Sequence, residues 1–340
     1  MPMKTMIWTA LSIAWAASAG AAPALPPVLA PYIADAQFQP RDFEWLRGAF
    51  PGATANEQKN FGQVNQWLKD CLSTDREQIV SELRNMGIAG DQVAVMAPRD
   101  PLCGTVWLPD MRLFKSFAEL QEADASAKPL AESFLYAVKL AEESRPTATS
   151  AGEVIRFRPL GEQMLRRALS WGQGSQIEAP PLAPLVKTMV ELRLGIAMAQ
   201  RDRGNSEWLK KVVQAEGWPK ISTFGKEASG SAWLLVQHAD ADPPFQLKAL
   251  RLMEPLVASG EVDKASYAYL YDRVMLKISG KQRYGTQMMC RAGKRVPQPL
   301  ESESTLNSRR VEAGLPPMSE YMAVMQKTFG DCPPEQPSQR

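Results

Sequence analysis

Histidine occurs once in this chain, at position 238, inside the stretch Trp233-Leu-Leu-Val-Gln-His-Ala-Asp-Ala-Asp-Pro-Pro-Phe-Gln246. An imidazole changes charge close to neutral pH, so His238 can serve as acid, base or hydrogen-bonding partner. It stands where an apolar helix runs out, and a helix C-terminus favours the protonated ring. Asp240 is placed to steady that form or to fix the tautomer, whereas Asp242, followed by Pro-Pro, reads as a helix cap. Asp272 and Arg273 fall mid-helix among tyrosines; adjacent helical residues face different ways, so each needs its own partner. On a strand, Gln282, Tyr284 and Thr286 would share one face and Gln287 the other. A face carrying an amide, a phenol and a hydroxyl suits a small ligand, and it equally suits an exposed strand. Because a buried imidazole must find hydrogen-bond partners, the candidate ligand-binding set is His238, Asp240, Asp272, Arg273, Gln282, Tyr284 and Gln287. These are expected around one polar pocket, with His238 and Tyr284 within roughly 10 Å. The plainer alternatives are a histidine satisfied by a carbonyl or by Gln237, and structural ion pairs for Asp272 and Arg273. Arg309 and Arg310 could contact an anion or cap a helix.

Several common chemistries lack their residues. One histidine cannot build a metal site of several imidazoles, and no Cys-x-x-Cys pair is present, so no metal and no cofactor is expected. Gly-x-Ser-x-Gly, Gly-Lys-Ser/Thr and Gly-x-Gly-x-x-Gly do not occur, which removes the usual hydrolase elbow and nucleotide loops. Paired carboxylates stay open, because any fold can bring two together.

The elements that must position these residues read as helices. Ala228, Ala232, Leu235, Val236 and Ala239 share one face of a buried helix over about 226–239. Phe245, Ala249, Leu252 and Leu256 mark the next, and Tyr267, Tyr271, Val274 and Ile278 the one after. Tyr284, Thr286, Met288 and Cys290 then alternate, and Ala292-Gly293-Lys294 could turn a hairpin back through Val296. Upstream, Leu185, Met189, Leu192 and Ile196 form a stripe, and Ser206 reads as the N-cap of a separate helix ending at Gly217. In the first half, Phe61, Val64, Leu68 and Cys71 mark one helix. Thr74-Asp-Arg-Glu77 reads as a capping box opening another, which stops at Gly87. Gln92 to Met96 could be a short strand, further helices fall at about 110–124, 128–144 and 159–171, and a last one at about 318–328. The fold class is mainly α: an array of short helices in two halves, with a small β-hairpin near 282–298.

The N-terminus speaks for export. Met1-Pro-Met-Lys4, an apolar run from Thr5 to Ala17 and Ser18-Ala-Gly-Ala-Ala-Pro23 make a secretory signal peptide over 1–21. The apolar run is shorter than the roughly 20 residues a membrane span needs, so no span is expected in the mature protein. A Pro-rich, extended leader (22–33) precedes the N-terminal helical region (34–171). A Gly/Pro-rich linker (172–184) separates it from the C-terminal domain (185–332), and 333–340 is a disordered tail. With 340 residues, two domains are the default, and the net charge of +2 gives no field to draw in nucleic acid. Arg166-Arg167 and Lys210-Lys211 read as solvated faces. In an exported chain, four cysteines suggest two disulfides, and nearness in sequence favours Cys71–Cys103 and Cys290–Cys332.

Five ordered motifs carry a family resemblance: Gly217-Trp-Pro219, Trp233-Leu-Leu-Val-Gln-His-Ala-Asp240, Tyr269-Leu-Tyr-Asp-Arg-Val274, Gln282-x-Tyr-Gly-Thr-Gln287, and Arg309-Arg310 with Gly314-Leu-Pro316 and Tyr321. Over roughly 190–328 the chain resembles a bacterial domain family of unknown function, which implies a domain and no reaction. Three readings follow for a periplasmic or secreted protein. The first is a noncatalytic module whose polar pocket at His238 binds a small ligand or an envelope protein. The second is an enzyme using His238 with Asp240 or Asp272 for acid–base chemistry. The third is a structural envelope protein.

Overall fold

The computed structural model describes residues 23–89, 93–95, 97–170 and 181–332. The expected signal peptide, most of the 172–184 linker and the 333–340 tail lie outside them. Leu25 to Phe50 form short turns and a two-residue antiparallel pair, β1 (Ile33–Ala34) and β2 (Gln37–Phe38). This leader is not a loose extension: Leu29 is fully buried, and Trp67 donates its indole N–H to the Pro23 carbonyl. Proline has little backbone freedom left to lose, so docking this segment costs little.

Helices follow: α1 (Ala55–Asn85), α2 (Phe117–Glu143), α3 (Ala151–Phe157), α4 (Leu160–Leu169), α5 (Pro184–Glu216), α6 (Ile221–Phe224), α7 (Lys226–Gln237), α8 (Pro243–Val257) and α9 (Lys264–Ser279). The hairpin β3 (Met288–Arg291) and β4 (Lys294–Pro297) comes next, then α10 (Leu306–Glu312) and α11 (Met318–Phe329). The fold is mainly α with two small antiparallel pairs, as the hydrophobic spacing predicts. The hairpin turns at Ala292 and Gly293, both at positive φ, which is the two-residue turn that matches strand twist. It is shorter than the alternation suggests, because residues 282–287 form a turn and not a strand. No strand occurs at residues 93–95 either.

Helices are longer than their local signals imply. Thr74 does not open a helix: α1 begins at Thr54, which makes the capping box with Glu57, and runs through to Asn85. Asp75 turns away to accept the Asp100 backbone N–H at 2.9 Å. Ser206 likewise sits inside α5 and bonds back to the Asp202 carbonyl, the usual mid-helix use of a serine hydroxyl. The stretches at 110–124 and 128–144 are mostly one helix, α2, running through Pro129.

Two large hydrophobic clusters result, and they do not follow the division at 172–184. One joins Leu29, Phe38, Trp45, Trp67 and Leu120 to Met189, Leu192 and Ile196 of α5. The other joins Ile79 and Leu83 of α1 and Ile155 of α3 to Leu209 and Val213 of α5 and to the apolar faces of α7, α8 and α9. At 33 residues, α5 is a rod of about 50 Å that serves both. Arg193, buried on α5, pairs with buried Asp124 of α2 through two 2.7 Å hydrogen bonds and donates to the Pro40 and Arg41 carbonyls. The sulfurs of Cys71 and Cys103, and of Cys290 and Cys332, are paired as sequence proximity suggests. Among the described residues no helix is long and apolar enough to cross a membrane.

Candidate ligand site at His238

The five residues expected on one face of α7, including Ala239 just beyond it, are all buried. That packing fixes how the helix ends, and His238 is its C-cap. The partner of the ring is neither a carbonyl nor Asp240. It is Glu162 of α4, whose carboxylate oxygens lie 2.9 and 2.8 Å from His238 Nδ1. The Glu162 side chain is 0% exposed, which a carboxylate tolerates only with partners. Arg166, one turn along α4, lies 3.4 Å from Glu162 and donates at 2.7 Å to Asp202 of α5. Arg166 is thus turned inward and is no solvated face. Lys210, too, pairs with Glu207 and Asp242.

Burial, with Arg166 beside it, pushes the His238 imidazole down to about 4, so the ring is neutral at pH 7. The Glu162 carboxylate decides which nitrogen carries its one proton: Nδ1 donates to it, and Nε2 keeps its lone pair. No hydrogen bond engages Nε2 among the described residues, and the ring lines a cavity of about 180 Å³. Asp202 lines the same cavity; burial and the neighbouring Glu162 push it up to about 8. Trp107, Arg203 and Asp240 also stand in its wall, with Arg99, Glu207 and Asp242 among the other charged residues there. Arg203 is anchored on the Ala199 and Pro98 carbonyls. Trp107 packs so closely on α5 that a Cβ at Gly195 would lie 2.5 Å from its ring. The volume lies below the few hundred Å³ of drug-sized pockets, so the occupant must be small. A second cavity of about 430 Å³ adjoins across Arg99 and Asp242, walled by Phe245, Val213 and Lys248. Glu82, Arg99, Lys210, Asp242 and Lys248 line it too, but the imidazole does not.

The seven candidate residues divide between two places. His238 and Asp240 line the cavity, and Arg273, which does not line it, joins them through Asp240. Asp240 accepts from Arg273 at 2.8 and 3.0 Å and from Lys277, which also donates to Gln246. Although burial opposes it, Lys277 and Arg273 hold the Asp240 carboxyl down at about 2, so Asp240 is a fixed anion and no base.

Asp272, Gln282, Tyr284 and Gln287 belong elsewhere and are not among the residues lining the cavity. The buried Asp272 carboxylate accepts three backbone N–H groups, from Arg283 at 2.7 Å, Tyr284 at 2.9 Å and Thr286 at 2.8 Å. Gln282, also fully buried, donates to the Gln287 and Gln298 carbonyls and accepts from the Gln287 N–H. Arg310 donates to the Tyr284 carbonyl and Tyr321 to that of Thr286. Gly285 takes a φ of +66°, which lets the turn close. The polar residues of this segment therefore hold a tight turn together, and Tyr284 presents its ring edge-on to Tyr271. Asp272 faces backbone amides and cannot be the histidine's acid–base partner. Arg310, fully buried, spends its Nε and one terminal nitrogen on the Pro316 and Tyr284 carbonyls.

Glu162, Arg166, Asp202, Trp107 and Lys277 are site residues that sequence reasoning misses. The one local signal is the run Arg201-Asp-Arg203, charges that interrupt α5 directly after its buried stretch from Leu194 to Ala199. No curated protein and no solved structure matches the chain. Its C-terminal part, residues 188–332, matches the model of a family of unknown function, DUF6624, close to the roughly 190–328 over which the motifs resemble one.

Proposed function

We propose that this is an exported binding protein whose cavity at His238 takes a small polar ligand. One observation carries the reading: a fully buried carboxylate, Glu162, holds the only imidazole by Nδ1, while the ring lines a cavity. A neutral ring fixed in this way offers one hydrogen-bond acceptor to an occupant, and Asp202, its carboxyl pushed up by burial and by Glu162, lines the cavity beside it. Such convergent polar groups in a small concave site mark a ligand pocket. Export is supported by the leader sequence and by two paired cysteine bridges, which suit an oxidising compartment such as the periplasm.

The test fills the cavity without touching a polar group. Native mass spectrometry of protein recovered from its own envelope fraction should show a chain beginning at Ala22 and carrying a small-molecule adduct. Ala241→Leu, at a half-buried turn in the cavity wall, should lose the adduct and keep its melting temperature. An adduct retained by Ala241→Leu would place the ligand elsewhere, and a Met1 form in the cytoplasm would remove the export reading.

A further inference from the structure

Glu162, Asp202 and His238 come from α4, α5 and the end of α7, and one ligating atom of each lies within 4.8 Å of the others. Two carboxyl groups, those of Glu162 and Asp202, meet beside the Arg166 guanidinium, and Arg203 also lies near Asp202. Asp202 Oδ2 takes the Arg166 hydrogen bond, but Oδ1 is buried with no hydrogen-bond partner among the described residues. A buried acceptor without a donor is costly; a proton shared with Glu162 would satisfy it, and a bound cation would do so in the proton's place. The adjoining cavity gives an ion a way in.

We propose that Glu162, Asp202 and His238 bind a divalent transition ion of the zinc type. One imidazole with two carboxylates is a mixed nitrogen and oxygen set, which suits zinc and its neighbours; calcium asks for six to eight oxygens. Tetrahedral bonds of about 2.0 Å would put the ligating atoms about 3.3 Å apart; the ion would replace the proton on His238 Nδ1, the 2.8–2.9 Å gap to Glu162 would open slightly, and Asp202 would close in from within 4.8 Å. Arg166 stays on Asp202 Oδ2, and the ion takes Oδ1. A catalytic-type zinc site keeps one position for water or substrate, and the cavity occupant would fill it. The inference rests on the cavity reading and names what lies at the back of that site.

The chain's single histidine makes the test direct, provided the mature protein carries no histidine tag. Metal is stripped with a chelator, zinc chloride is added, and bound zinc is counted by mass spectrometry after dialysis. In parallel, long-range proton–nitrogen NMR follows the one imidazole. The expected result is one zinc per chain, a large shift of one ring nitrogen, and at least tenfold weaker retention in Asp202→Asn. Absence of retained zinc overturns the proposal. So does retained zinc that leaves both ring nitrogens unmoved, a wild-type readout that stands even if the variant folds poorly. A small-molecule adduct found without zinc would remove the metal and keep the binding reading; zinc without any adduct would do the reverse.

Discussion

Replacing Asp272 with alanine separates a structural anchor from a ligand contact. The carboxylate is 0% exposed and receives the N–H groups of Arg283, Tyr284 and Thr286. Alanine would orphan all three amides, each worth roughly 1–3 kcal/mol if it stays dry. Against this, burial raises the Asp272 carboxyl above its ordinary range despite those amides, so removing the charge returns part of its desolvation cost. The expected net loss is about 3 kcal/mol; the 2–4 °C per kcal/mol usual for 150–250 residues would make that roughly 6–12 °C, and a chain of 340 residues should fall at or below the lower end. Urea unfolding with the disulfides intact measures it, and amide exchange at residues 283, 284 and 286 localises it. Occupancy of the His238 cavity should not change. A loss under about 1 kcal/mol, with those amides still protected, would refute the anchoring role; lost ligand binding at native stability would return Asp272 to the site.

Other outcomes follow from the packing and the charges. Arg193→Met strands the buried Asp124 and should cost about 3–5 kcal/mol, most of it recovered in the double variant Arg193→Met/Asp124→Leu; urea midpoints decide this. Gly195→Ala puts a methyl 2.5 Å from the Trp107 ring and should destabilise by about 1–3 kcal/mol while reshaping the cavity. Gly62→Ala, with open space around it in α1, should instead gain about 0.5–1 kcal/mol, both read as melting points. Burial, aided by Glu301, raises the Tyr271 phenol to about 12. Its stabilisation is therefore complete below pH 10 and lost as pH climbs from 10 to about 12. Tyr271→Phe should lose less stability over that window, followed by unfolding at stepped pH.

How much of this is legible in the sequence depends on the range of the interaction. The faces of α7, α8 and α9, the Asp242-Pro-Pro cap, which accepts from the Phe245 N–H, and the turn at Ala292-Gly293 are written in neighbouring residues. Signals of the same local kind misled at Thr74 and Ser206, because burial along α1 and α5 outweighs a hydroxyl's preference for a helix start. The site was half legible. His238 and Asp240 do share a cavity, and Arg273 joins them through Asp240, as the polar clustering suggests. Glu162 stands 76 residues from its histidine, and nothing in a helix sequence announces which carboxylate a distant fold will bring up. Gln282 and Asp272 misled for a different reason: a polar side chain spent on its own backbone is the same letter as one kept for a ligand.

The carboxylate that sets the tautomer of His238 lies at position 162, outside residues 188–332 that match DUF6624. The imidazole belongs to the module and its proton is steered by the part that precedes it. A piece cut at residue 188 would also lose Ile79, Leu83 and Ile155 from the cluster beneath α7, exposing apolar surface where α1 and α3 now lie. Taken alone, residues 188–332 would carry the imidazole without the carboxylate that orients it, and nothing from Glu162 would hold its proton on Nδ1.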